Sequence, residues 1–184
     1  MKVFLIIGLA IGLVIGPANH QVSAKWCEEN QVSKQSAKGL EVSLVAQKRR
    51  YKPSDHFKMD VILTNIGTDA VYILSQLDWG FSASLVMHVL DASGKELQPQ
   101  GVFDDHTFVS PDDQSAFVKL LPHHFLGTNF FTPLEVMNLK RPGKYAMFVE
   151  YHSPLAASDV KVSPFWGRED GTIKSNTVIV EVIR

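Results

Sequence analysis

Beyond Gly39, apolar and polar residues alternate with a period of two along most of the chain. Leu40, Val42, Leu44 and Ala46 fall on one side of an extended segment, with Glu41, Ser43, Val45 and Gln47 on the other, which predicts a half-buried strand. The stretch from Lys48 to Asp55 reads as a turn region broken by Pro53 and Asp55. Phe57, Met59, Val61 and Leu63 then alternate with Lys58, Asp60 and Thr64 in a second strand, closed by Asn65-Ile66-Gly67-Thr68-Asp69. Further strands are predicted over 71–74, 84–90, 117–121, 143–151 and 177–183, with turn residues between them and a long loop from Pro99 to Asp113. The longest helical period, Leu134 to Leu139, makes a single turn. Short strands at this spacing predict an all-β domain over 39–184.

The pattern before Gly39 is different. Lys2 is followed by an uncharged apolar run, Val3 to Gly16, ended by Pro17, which is the n-region and h-region of a signal peptide. As a helix the run would be about 21 Å long against a hydrocarbon core of about 30 Å, too short for a stable membrane span. Val22-Ser23-Ala24 supplies the small residues of a cleavage site, so 1–24 is expected to be a cleaved signal peptide and the product secreted or periplasmic. Residues 25–38, with Glu28, Glu29, Asn30 and Lys34, read as a flexible polar leader. Cys27 is the single cysteine of the chain, so it has no internal disulfide partner. Trp26 and Ala24 stand where a lipoprotein signal would place a small and an aliphatic residue.

Composition narrows the function classes. With 18 Lys and Arg against 19 Asp and Glu, the net charge is −1, and the two signs are interspersed. No basic face exists for nucleic acid. A partner would be held by local shape and apolar contact rather than drawn in by net charge.

Leu139-Lys140-Arg141-Pro142-Gly143-Lys144-Tyr145 carries the most specific structural signal. Pro142 and Gly143 are suited to a corner, and Tyr145 to locking it by packing its ring on the core and returning its hydroxyl to nearby backbone. Together with the strand Ala146 to Tyr151 and the closing run Ser175 to Val182, this resembles the end of the immunoglobulin-like and fibronectin-type modules common in exported bacterial proteins. The resemblance implies an antiparallel β-sandwich used for binding or assembly. The chain departs from antibody-type domains in lacking an intersheet cysteine pair. Val61-Ile62-Leu63-Thr64-Asn65 is also similar to the early strand and asparagine turn of the intracellular proteinase inhibitor family, although no inhibitory loop matches residue by residue and the signal peptide contradicts that family's location.

For chemistry, His106 beside Asp104 and Asp105, His123-His124, and Asp112-Asp113 are the ingredients of a metal site, but their spacing is no ligand motif, and no cofactor is expected. In a strand, His123 and His124 would face opposite ways, so only a loop could bring them to one ion. The chain has no nucleophile elbow, no His-Glu-x-x-His helix and no phosphate-binding glycine loop. Catalysis is therefore not expected.

Aromatic residues beside turns are the better lead. Trp79-Gly80-Phe81, Phe103, Phe108 and Phe165-Trp166-Gly167 predict rings projecting from loops at one end of the domain, a surface for a protein or glycan partner. Of the adjacent Phe130 and Phe131, one belongs to the core and the other looks outward. The expectation is an exported, non-catalytic binding or scaffolding module. Its alternatives are a metal-dependent protein or enzyme using the His and Asp loops, and a secreted protease inhibitor with the 99–113 loop as its reactive segment.

Overall fold

The computed structural model describes residues 36–37, 39–80, 82–98 and 109–184. The expected signal peptide, Cys27, Phe81, Phe103, His106 and Phe108 lie outside the described residues. Eleven strands are present among the described residues: β1 (Ser36–Ala37), β2 (Leu40–Ala46), β3 (Arg50–Tyr51), β4 (His56–Asn65), β5 (Val71–Leu74), β6 (Leu85–Leu90), β7 (Phe117–Leu120), β8 (Phe125–Pro133), β9 (Gly143–His152), β10 (Thr172–Lys174) and β11 (Val178–Val182). The helical elements among them are three-residue 3-10 turns, and none is long and apolar enough to cross a membrane.

One sheet has the order β1-β2-β4-β8 and is antiparallel throughout. The other is built on β9, which pairs with β6 along one edge and with β10 and then β11 along the other. All those pairs are antiparallel, while β3 joins β11 in parallel. A third, two-stranded sheet pairs β5 with β7. The backbone of Pro164 to Trp166 runs beside β5, with Tyr72 N–H donating to Pro164 C=O at 2.7 Å and Trp166 N–H to Tyr72 C=O at 3.0 Å.

The alternation explains which faces meet. In β4 the pattern Phe57, Met59, Val61, Leu63 is fully buried, and in β2 Leu40, Val42 and Leu44 are. These side chains share one core with Leu85 and Val89 of β6, Met147, Val149 and Tyr151 of β9, and Val180 and Val182 of β11. Each fully buried aliphatic or aromatic side chain contributes about 1.5 to 3 kcal/mol. A smaller cluster of Leu74, Phe117 and Phe165 lies under β5 and β7.

The structure differs from the sequence expectation in several places. Strands β3 and β8 were not expected: Arg50–Tyr51 lies in the segment read as a turn region, and FLGTNFFTP does not alternate apolar with polar residues. The stretch read as leader contains β1, which turns back on β2 through Gly39 at φ +81°. An added Cβ at Gly39 would come within 3.1 Å of the Gly67 Cα, so the polar composition of 25–38 hid a backbone contact that only glycine permits. The closing strand is also longer than its apolar run. Its register on β9 shifts by one residue between Lys174↔Glu150 and Val178↔Met147, so β10 and β11 are one strand interrupted by a bulge at 175–177.

Candidate functional site

Of the rings expected to project from loops, the three among the described residues, Trp79, Phe165 and Trp166, are turned inward. Trp166 is 2% exposed and Phe165 7%. Because 164–166 is extended beside β5, its successive side chains point to opposite sides. Phe165 meets Phe117 edge-on at 5.4 Å in the small cluster, and Trp166 packs on Tyr151 at 5.1 Å in the main core. The expectation that Phe165 and Trp166 present a partner surface is thereby corrected: the β5 ladder draws this loop into the fold. Trp79 is half-buried, edge-on to Phe130 at 4.6 Å, and packed against the core. A cleft of about 420 Å³ lies between the 67–71 loop and Pro164 to Trp166, walled in part by Asp69 and Asp170. Asp170 accepts the Gly167 N–H at 2.8 Å, and the indole N–H of Trp166 is buried without an acceptor.

His123 and His124 sit in the exposed turn between β7 and β8. His123 takes φ 63°, and the backbone there is tied to Asn65: His123 N–H donates to Asn65 C=O at 2.8 Å and Asn65 N–H to His124 C=O at 3.0 Å. The Asn65 carboxamide in turn donates to Asp69 C=O and Leu120 C=O, and accepts from Gly67 N–H. No group of three or more His, Cys, Asp or Glu side chains placed to hold a metal occurs among the described residues.

Tyr145 is 5% exposed and donates its hydroxyl to Arg141 C=O at 2.7 Å, across the corner made by Pro142 and Gly143. Gly143 has φ 156° there. Burial, with a smaller contribution from the Asp91 carboxylate, raises the Tyr145 pKa above the usual phenol value. The residue is a lock of the fold.

Among the described residues, the exposed phenylalanine rings are on β8. Its sequence FLGTNFFTP contains no charged residue. Phe130 is 4% exposed and Thr132 5%, whereas Phe125 and Phe131, of the opposite parity, are 68% and 60% exposed. At about 3.3 Å per residue, Phe125 and Phe131 stand about 20 Å apart on one face, beside Thr64, Ile62, Asp60 and Lys58 of β4. Phe131 stacks on the His56 ring at 4.9 Å, nearly parallel. Ile66 and Leu121, 42% and 44% exposed, lie at the Phe125 end of the sheet.

The ladder also defines which backbone groups of β8 are unpaired. The N–H and C=O of Leu44 point away from β4, since both are taken by the Asn176 side chain at 2.9 and 3.0 Å. Antiparallel hydrogen-bonded pairs alternate with non-hydrogen-bonded ones. Leu44↔Val61 is therefore a non-hydrogen-bonded pair, and Met59, Val61 and Leu63 direct their backbone groups to Phe130, Thr128 and Leu126. It follows that Phe125, Gly127, Asn129 and Phe131 aim theirs at the outer edge, where no partner strand is present among the described residues. Residue order separated Phe131 from its neighbour Phe130, but no strand was expected over 125–133, because FLGTNFFTP does not alternate apolar with polar residues, so the placing of Phe125 and Phe131 on one face came only from the fold.

No family model matches the chain, and no curated protein is similar to it. Among solved structures, a β-glucosidase from Listeria innocua in complex with laminaribiose is 13% identical with a TM-score of 0.40, over 83% of this chain and 16% of that one. The CARDB domain of a Pyrococcus furiosus protein, in complex with two metal ions, is 13% identical with a TM-score of 0.36, over 80% of this chain and 97% of the domain. The chain thus spans about a sixth of the glucosidase's length, and likenesses at these TM-scores assign neither family nor ligand.

Proposed function

We propose that this chain is an exported, non-catalytic immunoglobulin-like β-sandwich module, secreted or periplasmic, that binds a protein or glycan partner through the aromatic face of β8. The observation that carries the reading is the exposure of Phe125 and Phe131 on one side of a nine-residue strand that has no charge. Single exposed apolar residues are ordinary on protein surfaces. Two phenylalanines at fixed spacing on a rigid sheet, with Ile66 and Leu121 adjoining one of them, make a patch that contact would cover. Burial of each ring on binding contributes about 1.5 to 3 kcal/mol. The site therefore lies on a sheet face and edge rather than in the tryptophan-bearing loops, while the partner class is unchanged from the sequence reading.

The test is capture from the native exterior, using the protein as bait alongside Phe125→Ser and Phe131→Ser. Both variants are expected to retain the wild-type circular dichroism and unfolding midpoint and to lose the captured partner. Undiminished capture by the double variant overturns the proposal.

A further inference from the structure

We infer that β8 is a self-complementary edge, and that two copies of this chain associate by antiparallel β8-to-β8 pairing about a two-fold axis at Thr128. The inference rests on the reading of β8 as the contact strand and names its occupant.

The two edges of the first sheet differ. On the β2 side, β1 pairs with Leu40 and Glu41, and the Asn176 carboxamide occupies both backbone groups of Leu44. That edge is closed by a short strand and a side-chain cap. The β8 side has none of the usual guards: no lysine or other charge, no bulge along its nine pairs with β4, and a proline only at its last position. An uncharged, bulge-free strand of this length, whose outer backbone groups meet no partner strand among the described residues, is a template for another strand.

The sequence of β8 then selects the strand it fits. The outward backbone groups belong to Phe125, Gly127, Asn129 and Phe131. An antiparallel copy centred on Thr128 sets Phe125 opposite Phe131 of the second copy, and Gly127 opposite Asn129. All four outward residues of each copy then become hydrogen-bonded pairs, so the N–H and C=O of each of the four are satisfied. The same parity sends all four phenylalanines to one face of the joined sheet. There they form two ring pairs, one at each end of the contact, and cross-strand aromatic pairs are among the more favourable. Gly127 places no side chain against the facing Asn129. Moving the axis by one residue to Gly127 or Asn129 leaves one phenylalanine of each copy facing the His123 turn or Pro133, which has no N–H to donate. The register at Thr128 is the one that uses the whole strand. The interface is a single strand and its outer face, smaller than the roughly 800 Å² per partner of a standard interface, so the association is concentration-dependent rather than obligate.

Sedimentation velocity and light scattering of the purified protein over a wide concentration range test this. The expected result is a mass rising from one chain toward two. Asn129→Pro removes an outward N–H while leaving the β4 ladder intact, and is expected to hold the protein monomeric. Phe125→Lys and Phe131→Asp provide an independent pair, the second placing its new carboxylate beside Lys58 and His56 of its own sheet. Each alone is expected to weaken the dimer at least about tenfold. The double variant sets the introduced ammonium of each copy opposite the introduced carboxylate of the other and is expected to restore it. A wild-type protein that stays monomeric, or a dimer that Asn129→Pro and both single charge variants leave intact, overturns the inference. A monomer that still captures a partner through Phe125 and Phe131 overturns it while leaving the binding proposal standing. A β8 dimer that captures nothing does the reverse.

Discussion

The carboxamide of Asn176 accepts the Leu44 N–H at 2.9 Å and donates to the Leu44 carbonyl at 3.0 Å, so one side chain does for that residue what a neighbouring strand would do. Asn176 sits in the bulge between β10 and β11, and Leu44 in the opposite sheet, so the contact ties the two layers together. Its neighbour Ser175 holds the bulge, accepting Val149 N–H and donating to Asn176 C=O.

Asn176→Ala leaves both backbone groups of Leu44 without a protein partner, and the expected loss is about 1 to 3 kcal/mol. Asn176→Asp recovers only the acceptor half and is expected to fall below wild type as well. Chemical denaturation of the three proteins checks this. A wild-type midpoint for the alanine variant would show that water replaces the carboxamide.

Tyr145→Phe removes one hydrogen bond from an otherwise unchanged ring and leaves Arg141 C=O without its donor. Destabilisation of about 1 to 3 kcal/mol is expected. An unchanged midpoint would mean that the corner is held by Pro142 and Gly143 alone.

Phe130 and Phe131 are adjacent and chemically identical, yet the fold uses them differently. Phe130 meets Trp79 and Phe57 in the core, so Phe130→Ala is expected to cost about 3 to 5 kcal/mol. Phe131→Ala is expected to lie within about 0.5 kcal/mol of wild type, as surface changes do. A reversed order, with Phe131→Ala the costly variant, would mean that the strand register is shifted by one.

Trp166 contributes packing without a hydrogen bond, because its indole N–H has no acceptor. Trp166→Phe is therefore expected to be far milder than Trp166→Ala, for which a loss of about 3 to 5 kcal/mol is expected. Denaturation of the two variants checks the difference. Equal losses would show that the indole N–H has an acceptor in solution.

Asp91 accepts from the Ser93 hydroxyl at 2.6 Å and from the N–H groups of Ser93 and Lys95. These donors, the hydroxyl foremost, hold its carboxyl below the usual range. A lowered folded pKa gives stability that is present above the unfolded value of about 3.9 and fades as pH falls through the folded value. The stability gap between wild type and Asp91→Ala is thus expected at pH 7 and should shrink in acid. A gap that widens below about pH 4 would contradict the assignment.

Much of the fold was legible in residue order because period-two alternation is a local property. Leu40 to Ala46 and Phe57 to Leu63 each declare their buried side without reference to any other strand, whereas Tyr145 to Val149 are buried in succession and declare none. The Pro142-Gly143-Tyr145 corner was readable for the same reason, since its hydrogen bond spans four residues. Alternation also required that Phe130 and Phe131 part company.

What residue order left open were the relations between distant segments. Whether Trp166 faces solvent depends on Tyr72, which pairs with the chain beside it from more than ninety positions away. Which edge of the first sheet is closed depends on Asn176 reaching Leu44 across 132 residues. Strand alternation states that a side chain has an inside and an outside, but the partner that makes one of them the inside is chosen only when the layers assemble. That is why the sequence determined the alternating strands and their faces, while tertiary packing decided that 125–133 is a strand, that the loop at Phe165 and Trp166 is core, and that the outer edge of β8 has no partner strand among the described residues.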